Sequence, residues 1–204
     1  MKRSTAVGLA GALVVVALVA AVEQKKQEND INRSNEVAII QTSDGDMVVE
    51  FWNDAAPKTI ENFKKLARSG FYDGTTFHRI VKGFMAQGGD PLSKDPAKEG
   101  HYGDGGPGYQ IPAEFNHHEH VRGVISMSRE DKPDTAGSQF FICFGSVPRL
   151  DGKYTTFGKL VKGDDVLTKI SEHSVKANPA GEMSKPLDRV VIRTIKIVPA
   201  SSVK

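Results

Sequence analysis

The sequence predicts a mostly β domain in which short strands form a barrel and two helices close it. Three observations indicate this fold class. First, several short runs are rich in Val, Ile, Thr and Phe. Second, turn-forming Gly, Pro or Asp residues separate these runs. Third, two other stretches have helical periodicity. Many short strands with two helices favour a barrel over a layered α/β fold. The length of 204 residues leaves room for one sizeable domain and an appendage.

The strand candidates are short apolar runs bounded by turn residues. The first two, residues 37–40 and 47–52, are joined through Asp44-Gly45, which is a strong hairpin signal. The other candidates are residues 77–81, 124–127, 140–144, 155–160 and 190–197. Because side chains alternate across a strand, Phe140 and Phe141 are predicted to face opposite sides.

Two segments have the apolar periodicity of an amphipathic helix. The first begins at Pro57, since proline suits a first turn, and ends at Gly70 in a left-handed cap. Its predicted buried face consists of Ile60, Phe63, Leu66 and Ala67, and its predicted solvent face of Lys64, Lys65 and Arg68. The second helix is predicted over residues 164–172.

Composition narrows the class of protein. Hydrophobic residues at 39% and charged residues at 25% are typical of a soluble globular domain. The net charge of +2 gives no electrostatic reason to expect a nucleic-acid partner. The single cysteine, Cys143, excludes an intrachain disulfide, and its apolar neighbours predict a buried thiol.

The N-terminus predicts export. Lys2 and Arg3 precede an uncharged stretch, residues 4–22, that fits either a cleaved signal, with a cut after Ala21, or a membrane anchor. Either alternative places the rest of the chain outside the cytoplasm, in a periplasmic or other extracytoplasmic space. The predicted organisation is therefore a signal or anchor (1–22), a polar spacer (23–36), a folded domain (37–198) and a short tail (199–204).

Three blocks in this order resemble the cyclophilin family of peptidyl-prolyl cis-trans isomerases: FHRIVKGFMAQGGD (77–90), GSQFFI (137–142) and LDGKY (150–154). Weaker similarity extends over residues 37–198. The resemblance implies a closed eight-stranded antiparallel β-barrel capped by two α-helices, with a substrate groove on its outer face. It also implies that proline-containing polypeptides are the partners.

The resemblance assigns roles to individual residues. Arg79 matches the catalytic arginine of the family, and Gln87 matches the glutamine that contacts the peptide backbone. Gln139 lies beside the groove, and Phe141 is the outward member of its pair. The residues that match the lining of the family's proline pocket are Phe84, Met85, Phe141 and Leu150.

Some groove positions differ from those of the best-known family members. Arg149 stands where they have tryptophan, and Tyr154 where they have histidine. Ser128 and Arg129 replace an Ala-Asn pair. Tryptophan at the first position supports cyclosporin binding in the family, so we expect this chain to bind the drug weakly.

The chemistry implied by the resemblance needs few groups. Rotation about an X-Pro bond must overcome amide resonance, a barrier of about 18–20 kcal/mol, and breaks no covalent bond. A site that binds the twisted amide better than the planar forms is sufficient, so neither a cofactor nor a metal is expected. A guanidinium such as that of Arg79 can donate to the prolyl nitrogen once twisting restores its lone pair. The alternative function is a proline-peptide binding module with little turnover.

Three other sequence patterns can be compared with known functional motifs, and none predicts a further activity or ligand. Residues 103–108 match the dinucleotide pattern G-x-G-x-x-G, but Pro107 and Pro112 prevent the helix that this motif requires, which predicts a surface loop. The histidine-rich run 117–120 has no zinc-ligand spacing and is predicted to be a solvated loop. The sequence contains no Gly-x-Ser-x-Gly element, so this signal of a serine hydrolase is missing.

Overall fold

The computed structural model describes residues 35–203 and, before them, positions 19 and 24. The predicted export segment (1–22) and most of the spacer therefore lie outside the described residues. Within the described part of the chain, no helix is both long and apolar enough to cross a membrane. The described residues from Val37 onward form one compact unit.

The described residues form a mostly β fold with two α-helices. The strands are β1 (Glu36–Thr42), β2 (Asp46–Phe51), β3 (Arg79–Val81), β4 (Met85–Gly88), β5 (Val124–Met127), β6 (Phe140–Cys143), β7 (Thr156–Lys162), β8 (Val175–Ala177), β9 (Met183–Pro186) and β10 (Ile192–Pro199). The helices are α1 (Pro57–Arg68) and α2 (Asp164–Glu172). Short 3-10 helices cover Pro91–Lys94, Pro96–His101, Pro148–Leu150 and Ala200–Ser202.

Eight strands form one curled antiparallel sheet in the order β10-β1-β2-β7-β5-β6-β4-β3, and β8 and β9 form a separate hairpin. Bulges at Val48/Val49 and Ile125/Ser126 interrupt the registers of β7 with its two neighbours. Because a bulge increases local twist, these two positions help to curl the sheet. Segments beside the terminal strands also meet, since the amide of Phe77 donates to the carbonyl of Val190 at 2.9 Å.

Phe63 on α1 lies at the centre of the core. Its ring is fully buried and packs against four other aromatic rings at centroid distances of 5.2–5.9 Å. These rings are Phe51, Tyr72, Phe140 and Phe157. The apolar stripe of α1 thus covers the interior of the curled sheet, and most of its stabilisation comes from this burial.

The structure confirms both predicted helices and all seven predicted strands, with small differences at their ends. It adds β4, β8 and β9, which were not predicted because their short, partly polar sequences lack a β-branched run. The solvent face predicted for α1 is wrong at Lys64, which is 5% exposed. Its ammonium lies 4.8 Å from the centre of the Phe51 ring, so the long aliphatic stem covers apolar surface.

Candidate active site

The pairing of β3, β4 and β6 places the site on the outer face of the sheet. Arg79 pairs with Gln87, and Gln87 pairs with Phe141, so these three side chains form one row across the strands. Val81, Met85 and Cys143 form the next row in the same way. The intervening residues Ile80, Ala86 and Ile142 belong to the interior core. Strand alternation therefore separates a functional face from a packing face.

The second row continues into an apolar pocket. Its buried members form a cluster distinct from the main core, with three partly buried residues packed against it. The cluster contains Met85, Phe141, Cys143, Val147 and Leu150, and the flanking residues are Val81, Phe84 and Tyr154. Phe141 thus faces the groove, and Phe140 faces the core, as predicted. Burial raises the pKa of the Cys143 thiol to about 12, so it remains an unreactive part of this packing.

A buried polar array supports the pocket from below. His120 Nδ1 donates to Asp151 at 2.8 Å, its Nε2 lies 3.1 Å from Ser126 Oγ, and its ring stacks on Phe141. The expectation of a solvated 117–120 loop is therefore wrong for His120, which is 1% exposed. Although Ser126, His120 and Asp151 have the composition of a hydrolase triad, the serine is fully buried and donates to the carbonyl of Thr155. The array therefore positions Phe141 and the segment carrying Leu150.

Arg79 makes a bidentate ion pair that sequence reasoning missed. Its Nε donates to one oxygen of Glu182 at 2.7 Å, and its Nη2 donates to the other at 2.6 Å. Its Nη1 lies 3.1 Å from Gln87 Oε1 and 3.9 Å from Met85 Sδ. The hydrogen bonds from Arg79 lower the pKa of the Glu182 carboxyl. No signal in the sequence marks Glu182, because 103 residues separate it from Arg79.

A chain of amide hydrogen bonds continues from Arg79 across the groove. Gln87 Nε2 donates to Gln139 Oε1 at 2.9 Å. Gln139 Nε2 then donates to the carbonyls of Gly103 and Gly105, at 2.7 and 2.8 Å. The glycine-rich run is therefore a surface loop, as predicted, and it also orients both glutamine amides.

Two arginines border the pocket. The guanidinium of Arg149 lies 4.5 Å from the centre of the Phe84 ring. That of Arg129 lies 4.6 Å from the centre of the Tyr154 ring and donates to the carbonyl of Lys153. Both contacts have cation–π geometry, so each guanidinium at the rim of the pocket packs over the face of an aromatic ring.

One groove of about 1300 Å³ brings all ten predicted site residues together. They are Arg79, Phe84, Met85, Gln87, Ser128, Arg129, Gln139, Phe141, Leu150 and Tyr154. Glu182, Val81 and Arg149 line it as well. Among the residues that the structure describes, no three His, Cys, Asp or Glu side chains are grouped to hold a metal ion.

The site combines an apolar pocket with a guanidinium held beside it in one groove. This arrangement suits a class of protein that binds an apolar ring next to a hydrogen-bond acceptor. Residues 37–197 match the family described as cyclophilin type peptidyl-prolyl cis-trans isomerase/CLD. The chain belongs to the cyclophilin-type peptidyl-prolyl cis-trans isomerase family.

Individual relatives agree with this assignment. A probable peptidyl-prolyl cis-trans isomerase of Brucella abortus is 38% identical over 192 residues, which covers 92% of this chain and 94% of that protein. A peptidyl-prolyl cis-trans isomerase of Synechococcus elongatus is 48% identical over 122 residues, covering 60% of this chain and 78% of that one. The crystal structure of a Cryptosporidium parvum cyclophilin in the presence of the dipeptide Ala-Pro is 35% identical, with a TM-score of 0.70, and covers 79% of this chain and 98% of that chain.

Proposed function

We propose that this protein accelerates rotation about X-Pro bonds in folding or exported polypeptides, with Arg79 as the catalytic residue. The observation that carries this proposal is the position of the Arg79 guanidinium at the edge of the apolar pocket, 3.9 Å from Met85 Sδ. The Ala-Pro dipeptide named with the Cryptosporidium parvum structure supports proline as the bound residue.

In the mechanism, the pocket holds the pyrrolidine ring while the preceding amide turns. Phe84, Met85, Phe141 and Leu150 bind the ring by dispersion and area burial. As the amide twists, its nitrogen becomes pyramidal and accepts a hydrogen bond from Arg79. This bond exists only near the transition state, so it lowers the barrier without tightening binding of the planar forms.

A binding module with little turnover is the second candidate, and the rim favours it. Arg149 over Phe84 and Arg129 over Tyr154 alter what approaches the pocket. A proline-isomerisation assay on the full chain separates the two functions. Turnover that Arg79→Ala strongly lowers indicates an enzyme, whereas peptide binding without turnover indicates a module.

The eight-stranded sheet is closed into a barrel in this proposal. Its support is the pairing of the segment before β3 with residues 190–192 at the start of β10. The amide of Ile192 donates to the carbonyl of Thr75 at 2.7 Å, and Thr76 forms an isolated antiparallel β-bridge with Val191. Closure removes the exposed edges that β3 and β10 would otherwise present. Hydrogen exchange at the Phe77 and Ile192 amides tests it.

Turnover is expected to be nearly independent of pH between about pH 6 and 9. Arginine stays protonated throughout this range, and the lowered pKa of Glu182 keeps its carboxylate ionised. Initial rates measured across this range, well below the melting temperature, check the expectation. A bell-shaped profile would contradict it by showing that a titrating group takes part in the reaction.

The free energy of unfolding, unlike turnover, is expected to depend on pH and to fall in acid. Burial lowers the pKa of His78 and of His120 below the ordinary value of about 6.5. The unfolded chain therefore binds these protons more readily, so the stabilisation present above about pH 6.5 is lost as pH falls through the folded-state pKa values. Unfolding midpoints measured from about pH 7 down into acid check this loss, and a midpoint that stays constant through this range would contradict it.

Cyclosporin is expected to bind weakly, and Arg149→Trp to bind it more tightly. The Arg149 side chain is exposed and charged where an indole would offer apolar area and an N–H donor. The gain is worth roughly 1–3 kcal/mol if it resembles burial of one aromatic side chain. Calorimetric titration of both proteins measures it. Tight binding of cyclosporin by the unmodified protein would contradict the expectation that Arg149 weakens the complex.

The protein acts outside the cytoplasm in this proposal, where exported chains fold and slow X-Pro isomerisation delays them. Its support is the order of Lys2 and Arg3, the apolar stretch 4–22 and the polar spacer 23–36. We expect the native protein either to begin near Val22 after cleavage or to remain with washed membranes uncleaved. N-terminal sequencing of each cell fraction distinguishes these outcomes, and an unprocessed soluble cytoplasmic protein would refute both.

A further inference from the structure

We infer that Glu182, delivered by the β8–β9 hairpin, is a positioning residue that sets the plane of the Arg79 guanidinium for catalysis. The inference rests on the proposed function and extends the site to a segment outside the three family-like sequence blocks. Its basis is the two-point contact of Glu182 with Arg79, at 2.6 and 2.7 Å.

The ion pair with Glu182 does not use the Nη1 donors of Arg79, which lie beside Gln87 and Met85 in the groove. A guanidinium carries five N–H donors in one plane. Glu182 takes one donor from Nε and one from Nη2, and Gln87 takes one from Nη1. The other N–H on Nη1 points to the thioether of Met85 at 3.9 Å, a weak contact at the pocket, and one N–H on Nη2 has no acceptor among the described residues. Glu182 therefore holds the side chain without occupying the end that faces a bound proline.

The hairpin holds Glu182 in turn. Its amide donates to Asn178 Oδ1 at 3.0 Å, and its carbonyl accepts from the amide of Asn178 at 2.8 Å. Asn178 Oδ1 also accepts from the amide of Ala180, so a single side chain shapes the turn. Lys185 of β9 also pairs with Glu99 of the neighbouring 3-10 helix at 2.7 Å, but Glu99 is 47% exposed, so this surface ion pair adds little to the position of Glu182.

Arg79 is thus held from two sides. On one side Glu182 fixes Nε and Nη2, and on the other the Gln87–Gln139 amide chain fixes Nη1. Without these contacts, the flexible arginine side chain, which is 32% exposed, would sample many rotamers in solvent. A donor held in place before the amide twists stabilises the transition state without reorganising.

The test compares Glu182→Ala and Glu182→Gln with the unmodified full chain on an Ala-Pro peptide. Glu182→Ala is expected to lower kcat by about tenfold, because the donor loses its orientation, while KM changes by less than about twofold. Glu182→Gln keeps one neutral acceptor and is expected to recover most of the rate. Asn178→Ala, which loosens the turn, is expected to fall between them.

Glu99→Ala is the matched control, because it removes an ion pair from the same hairpin without touching Arg79. It is expected to keep the unmodified kcat. If it loses the same rate as Glu182→Ala, the hairpin acts only through stability and the inference fails. The inference also fails if Glu182→Ala turns over as fast as the unmodified protein or faster.

A second readout does not depend on activity. In the ¹⁵N spectrum of the unmodified protein, the Arg79 Nε–H is expected to exchange slowly with water and to become fast in Glu182→Ala. Slow exchange in both proteins would overturn the positioning role even if the protein were inactive. Absence of turnover in the unmodified protein would instead refute the proposed function alone.

Discussion

Arg79→Ala is expected to lower kcat/KM for X-Pro isomerisation by about 100-fold while the fold stays intact. The guanidinium supplies the charged donor that meets the developing lone pair on the prolyl nitrogen, and removing one such preorganised donor typically costs two to three orders of magnitude. The side chain is partly exposed and lies outside the main core, so its removal leaves no core cavity. Exchange NMR on an Ala-Pro peptide measures the rate, and circular dichroism monitors the fold.

Arg122→Ala is the control for this variant. Arg122 also donates to a carboxylate, that of Asp164 at 2.7 Å, and is comparably exposed, but it is not among the residues that line the groove. We expect it to retain turnover. An Arg79→Ala protein as active as the unmodified one would remove Arg79 from the mechanism and favour the binding module.

Phe63→Ala is expected to destabilise the domain by about 3–5 kcal/mol, the usual cost of emptying a large aromatic site in a core. Phe63 is fully buried and contacts the rings of Phe51, Tyr72, Phe140 and Phe157, so one substitution weakens the contact of α1 with several strands. Chemical denaturation of both proteins measures the difference from the shift in midpoint at constant slope.

Phe115→Ala is the matched aromatic control, since Phe115 is 40% exposed and contacts Arg129 at the surface. Its loss is expected to cost less than about 1 kcal/mol. Equal destabilisation by the two substitutions would contradict the placement of Phe63 at the centre of the core. Where Phe63→Ala does not fold, Phe63→Leu, with a smaller expected loss, keeps the comparison measurable.

Local sequence patterns determine much of the fold. The helix over Asp164–Glu172 and the strand over Val124–Met127 have the bounds that periodicity predicts. Pro57 and Gly70 mark the limits of α1, because their backbone preferences are properties of single residues. The strands β4, β8 and β9 escape such patterns, because pairing with neighbours rather than propensity makes these short segments strands.

The sequence by itself also located ten residues that line one groove, eight of them in the three blocks that carry the family resemblance, and their roles stay predictions. Only the tertiary structure decided what holds them. It paired Glu182 with Arg79, buried His120 beneath Phe141 and joined Gln139 to the glycine-rich loop. These contacts join segments that are distant in sequence, and a side chain's local neighbours carry no information about a partner that only folding brings within hydrogen-bond distance.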